Sequence, residues 1–253
     1  MLPLDQLTLA DTELTDAQLT DVELVDARLA DARLAEAELA YLVRRSDRAR
    51  RVRVTVDRGG NVEVVLPRRL PQRAAQEAVV ELRPWIERRL AEVGRQRAAV
   101  LARGDTVPYL GASLAVVAEA GRTRVTRRRE TLVVPEGLKR QAALERWYRR
   151  MAREEIRPRL DRACAEAQLT YTRLTIRDQR TRWGSCSRAG AMSFNWRLLL
   201  APEAVLDYVI WHEVCHLEVM DHSPRFWALV ARRCPEHREH AAWLKRNAGT
   251  LVI

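Results

Sequence analysis

All five histidines of this 253-residue chain lie between His212 and His240. Three of them stand as His212-Glu213-Val214-Cys215-His216 followed by His222. This cluster constrains the fold more than any other feature. His212 and His216 are four residues apart, so on a helix they project from one face, one turn above the other. That spacing lets two imidazoles share one tetrahedral zinc ion, and the glutamate beside the first reaches a water at the metal. A catalytic zinc takes three protein ligands and leaves the fourth position to water. His222 is the predicted third ligand. Leu217–Asp221 lets the chain leave the helix and turn back, and Ser223-Pro224 reads as an N-cap followed by proline at the first helical position. His237, His240, Glu218 and Glu236 compete for that place, with the two histidines expected on a solvated or packing face of the last helix. Glu213 is the predicted general base, next to a water whose pKa zinc can lower to about 7. Cys215 as a fourth ligand would give a closed structural centre, in which Glu213 would have no purpose.

Composition bounds the setting. No apolar run approaches the roughly 18 residues a membrane span needs, so no membrane partner is expected. Met1-Leu2-Pro3-Leu4-Asp5 lacks the basic start and apolar stretch of a signal peptide, which predicts a cytoplasmic location. Cys164, Cys186, Cys215 and Cys234 form no CxxC pair and are expected as reduced thiols packed as small apolar groups. The net charge of +10 is uneven, because residues 1–40 hold ten acidic side chains and only two arginines. Arginine clusters at 44–53 and 122–129 leave a basic body that can attract nucleic acid. No aromatic residues interleave these runs as a stacking platform would need, so a solvated arginine-rich surface is the simpler reading.

Residues 1–40 read as a separate acidic appendage. Leucine recurs every five residues from Leu4 to Leu39, a period that fits neither a helix face nor strand alternation. It resembles the pentapeptide-repeat pattern of a four-sided solenoid. A helical or unstructured arm stays open beside it, since Ala, Leu, Glu and Arg are good helix formers. Residues 41–137 read as a mixed region. A hairpin is predicted over 51–66 around Gly59-Gly60-Asn61, then a helix over 72–101 that Pro84 breaks or kinks, then strands near Leu114–Val117, Thr123–Thr126 and Leu132–Val134. Residues 138–253 read as the site-bearing domain. It has a helix over 138–168 interrupted at Pro158, a strand at Thr172–Arg177, a polar connection through Trp183-Gly184-Ser185-Cys186, and a strand at Met192–Leu200. The motif helix starts after Ala201-Pro202. The fold class expected is α+β.

The blocks Thr181-Arg182-Trp183-Gly184-Ser185-Cys186-Ser187, Phe194-Asn195-Trp196-Arg197-Leu198, Leu206-Asp207-Tyr208 through His216-Leu217, His222-Ser223, Phe226-Trp227, Cys234-Pro235 and Trp243-Leu244 arrive in order. Together they resemble the YgjP-like metallopeptidase family, allied to the WLM and SprT-type zincins, over about residues 41–247. The resemblance implies a small gluzincin-like zinc hydrolase domain, one Zn²⁺ on His212, His216 and His222, and Glu213 as the catalytic residue. It implies that the strand carrying Asn195 lies beside the cleft, where zincins bind an extended peptide as an added strand. Arg182 and Tyr208 match family positions. Tyr208 lies one helical turn before His212 and either donates to a developing oxyanion or packs. Val214 and Phe194 depart from the family's usual residues without touching the chemistry.

The function expected is a zinc metallopeptidase acting on a peptide or protein. Three alternatives share the same residues. One is a hydrolase of a small phosphate-containing substrate, for which Arg177, Arg180 and Arg182 would bind phosphate. Another is a nucleic-acid-associated protease of SprT type. The last is a binding module with a structural zinc. The oligomeric state is open.

Overall fold

The computed structural model describes residues 12–13, 39–57, 59–137, 140–179 and 181–253. The pentad repeat of residues 1–40 falls almost wholly outside the described residues. The chain divides into two compact units, one spanning Leu9–Ala98 and the other taking in Ala99–Ile253. The architecture is α+β, with small sheets and, among the described residues, six α-helices.

In the first unit the predicted hairpin is present. Strand β3 (Arg53–Val56) pairs antiparallel with β4 (Val62–Pro67). The Asp57 carboxylate fixes the turn by accepting from the Gly59 and Asn61 N–H groups at 2.8 Å each, and Gly60 supplies the positive φ of 83°. A two-residue strand, β1 (Thr12–Glu13), pairs with β3, and β2 (Tyr41–Ser46) runs parallel to β4. The helix expected over 72–101 with a break or kink at Pro84 is two helices, α1 (Arg73–Glu81) and α2 (Arg83–Leu101), parted at Leu82. Pro84 explains the break, because in the first turn of α2 its missing N–H costs nothing. Val52, Val54, Val62, Val64 and Leu66 pack with Ala74, Ala75, Ala78, Val79 and Ile86 into a core of this unit.

The second unit begins with the sheet β5 (Thr106–Tyr109), β6 (Ala112–Glu119), β7 (Thr126–Arg128) and β8 (Thr131–Pro135), ordered β5-β6-β8-β7. This sheet lies in the second compact unit, together with the histidine-bearing helix. The reason is the core. Val107, Tyr109, Leu114, Leu132 and Val134 share one buried cluster with Trp147, Tyr148 and the motif helix. Helix α3 (Arg140–Ala167) runs through Pro158 without a break. Its buried stripe continues on both sides of the proline, from Trp147, Tyr148 and Ala152 to Ile156, Leu160 and Cys164. Packing of that stripe outweighs one lost backbone hydrogen bond.

Next come β9 (Arg173–Arg177), β10 (Gly184–Cys186) and β11 (Ala191–Asn195), in the order β10-β11-β9. Two expectations change here. The Trp183–Cys186 segment contains an edge strand rather than a plain connection. The strand expected through Leu200 stops at Asn195, whose side chain accepts from the Arg197 N–H and caps a 3-10 turn over Trp196–Leu200. Helices α4 (Glu203–Cys215), α5 (Pro224–Arg233) and α6 (His237–Asn247) complete the unit. Trp196 is fully buried, with its ring 5.7 Å from that of Tyr148. Arg197 stacks on Trp196, and its guanidinium grips the Asp178 carboxylate and the Leu251 carbonyl.

Trp196→Ala should lower the unfolding free energy by about 3–5 kcal/mol, since the cavity left lies in the middle of the second core. Denaturant titration should show a lower midpoint at an unchanged slope.

Candidate metal centre

Helix α4 is apolar on nearly every side. Val205, Leu206, Val209, Ile210, Val214 and Cys215 are all buried, which places the helix inside the unit. His212 and Glu213 are the polar exceptions near its C-terminal end, exposed by only 6% and 5%. His216 forms the C-cap of α4 in helical conformation, so it keeps the one-turn offset from His212. His222 precedes α5, where Asp221 accepts from the Ser223 N–H at 3.0 Å and Pro224 occupies the first helical turn. Ser223 is the N-cap as expected, but its side chain makes no capping bond.

The three imidazoles meet. Ring centroids lie 4.9 Å apart for His212–His216, 5.2 Å for His212–His222 and 4.7 Å for His216–His222. One ligand nitrogen from each falls within 4.8 Å of the others, a group able to hold a metal ion. Nε2 of His222 faces Nε2 of His212 at 3.2 Å. Nδ1 of His216 lies 3.0 Å from the Val219 carbonyl. A proton on that nitrogen would leave Nε2 as a lone-pair donor, the arrangement typical of a metal-ligating histidine. Burial, then the neighbouring imidazoles, depresses the His212 pKa to about 3, and burial lowers that of His216. Both rings are therefore neutral near pH 7, as ligation requires. Phe226 stacks on His216 with centroids 4.4 Å apart, and Trp227 stacks on His222 at 5.7 Å.

Glu213 lies against β10. Burial raises its pKa to about 8, opposed by the charge of Arg182 and a hydrogen bond from the Cys186 backbone N–H. Its Oε2 is buried without a hydrogen-bond partner, as is Nδ1 of His212. Unsatisfied buried oxygens are uncommon. Here the carboxylate stands in a cavity of about 240 Å³ lined by Arg182, Gly184, Cys186, Tyr208, His212, Glu213, His216, Met220, His222 and Trp227, among others. Tyr208 is buried on this wall, and burial raises its hydroxyl pKa, so it stays protonated as a donor. Burial pushes the Cys186 thiol up to about 11.

Not every predicted residue reaches the cavity. Asn195 sits on the central strand β11, not at the cleft. Its amide donates to the carbonyls of Gln179 and Arg182 at 2.8 and 3.4 Å, so it braces the segment leading into β10. The strand beside the cavity is β10. Of the arginines considered for phosphate, Arg182 lines the cavity, Arg177 is an exposed residue of β9 outside the lining, and Arg180 lies outside the described residues. Cys215 packs in the core, with its thiol pushed up to about 12 by burial. His237 stacks beside Trp227, and His240 lies 3.9 Å from Glu236. Neither belongs to the metal-capable group. Trp227, Met220 and Gly184 were not foreseen as parts of the site. The glycine alone left a trace, since an isolated glycine within a strand marks a close approach.

A family model described as YgjP-like, metallopeptidase domain, matches residues 50–247. No curated protein and no solved structure matches the chain. No helix among the described residues is long and apolar enough to cross a membrane. The family match runs through both compact units and takes in the histidine-lined cavity, and on it the chain is assigned to the YgjP-like metallopeptidase family, hydrolases that act on peptides or proteins.

Proposed function

We propose that the chain is a zinc-dependent peptidase in which His212, His216 and His222 hold one zinc ion and Glu213 is the general base. The observation that carries this reading is the convergence of three imidazole nitrogens within 4.8 Å in the same cavity as the unpartnered Oε2 of Glu213. Zinc held there supplies Lewis acidity toward the scissile carbonyl and lowers the pKa of the attacking water. Glu213 takes a proton from that water as its oxygen attacks the carbonyl carbon. The same carboxyl then gives the proton to the amine as the C–N bond breaks. Tyr208, kept protonated by burial in the same wall, would donate to the oxyanion as it forms.

The edge strand supports an extended peptide as substrate. Trp183 and Ser187 turn backbone groups toward β11, through the bonds from Asn195 N–H to the Trp183 carbonyl and from Ser187 N–H to the Ala191 carbonyl. By the alternation of an antiparallel pair, Gly184 and Cys186 turn theirs outward. A peptide could add there as a strand. Arg182 alone among the described arginines lines the cavity, and one arginine is a poor clamp for a polyphosphate, which favours the amide bond over the phosphoanhydride. The four free thiols support a reducing compartment such as the cytoplasm.

Glu213→Gln should keep one zinc per chain and lose turnover of denatured casein by about 10²–10⁴-fold. Unchanged turnover would remove the base from Glu213, and cleavage of nucleoside triphosphates in place of casein would change the bond. Chelation should abolish activity and zinc should restore it. Zinc should also raise the melting temperature of the wild-type chain, whereas His222→Ala should lose most of that rise.

A further inference from the structure

We infer that Gly184 is the positioning residue of the Glu213 carboxylate, because the missing side chain at 184 leaves the space in which that carboxylate lies. This rests on the peptidase reading for its catalytic half. A Cβ built on Gly184 would stand 2.4 Å from Oε1, 2.7 Å from Cγ and 2.8 Å from Cδ of Glu213. Separations under about 3 Å are not tolerated between packed heavy atoms. The three atoms nearest to that Cβ position all belong to Glu213. Gly184 does not have a positive φ, so its backbone lies where any residue can lie, and conformational freedom does not explain the glycine. The space does.

One hydrogen bond fixes the carboxylate once it is in that space. The Cys186 N–H, one of the outward-facing groups of β10, donates to it. Oε2 is left without a partner, beside His212 in the same cavity. The edge strand thus acts as a template for the base. Residue 184 sets how closely the carboxylate approaches the strand, and residue 186 sets its orientation. Cys186 therefore contributes through its backbone. One outward rung of β10 is thus occupied by Glu213.

The test is a two-residue cycle with Gly184→Ala, Glu213→Ala and the double variant, all in the full-length chain. Gly184→Ala is expected to keep one zinc per chain, to lower kcat on denatured casein by about 30-fold or more, and to change KM by less than about threefold. Its melting temperature should fall by about 4 °C or more, whereas in the Glu213→Ala background the same substitution should cost less than half of that. A single variant that fails to fold while the double variant folds carries the same meaning. The inference is overturned if Gly184→Ala keeps wild-type kcat and melting temperature, if it costs as much stability with Glu213 removed, or if it fails to fold in both backgrounds. Absence of casein turnover in the wild-type chain would count against the peptidase reading alone, because the melting-temperature cycle does not depend on activity.

Discussion

A carboxylate enclosed between a helix and the edge of a sheet is the constraint on which the second unit turns. Burial of Glu213 disfavours its charge strongly enough to raise its pKa to about 8, and only the Cys186 N–H and the charge of Arg182 offset that. Such a group survives in a core only where the surrounding packing is firm. The packing is supplied from several sides. The apolar faces of α4 lie in one cluster with Trp147 and Tyr148 of α3 and with Trp196 and Leu198–Leu200 of the 3-10 turn. Phe226 and Trp227 of α5 close over the imidazoles. Rigid walls hold the polar groups near one another without contacts that would neutralise them.

The histidine constellation was legible because its information is local. Two imidazoles four apart on a helix, a carboxylate between them and a third histidine after a five-residue spacer specify their own geometry through the helical repeat. The edge strand was not legible. Thr181–Ser187 is polar, short and interrupted by glycine, and its strand character comes from pairing with β11, a non-local partner. For the same reason β2 and β5 left no clear pattern, and the strand through Leu200 was drawn too long. Leu198, Leu199 and Leu200 are buried residues of a 3-10 turn, and three apolar residues in a row do not distinguish that from a strand. Pro158 misled in the opposite direction, since a local rule about proline gave way to the buried stripe around it.

The arginine-rich composition has a structural side that charge counting hides. Arg159 is largely buried and pairs with Glu155, Glu203 and Asp207, joining α3 to α4. Arg149 bridges Glu145 and Asp178, and Arg233 reaches Glu166 from α5. In these places the guanidinium serves as a branched connector between elements, a use for which its fixed fork of donors is suited.

The segment after α6 shows what such connectors hold in place. Arg103, at the start of the second unit, donates to the Thr250 and Val252 carbonyls, and Arg197 donates to the Leu251 carbonyl between them. Three consecutive carbonyls just past α6 are thus held by two side chains that are remote in sequence. Release of this segment requires breaking charge-assisted bonds anchored to two other parts of the unit, so local opening of the backbone after α6 is costly.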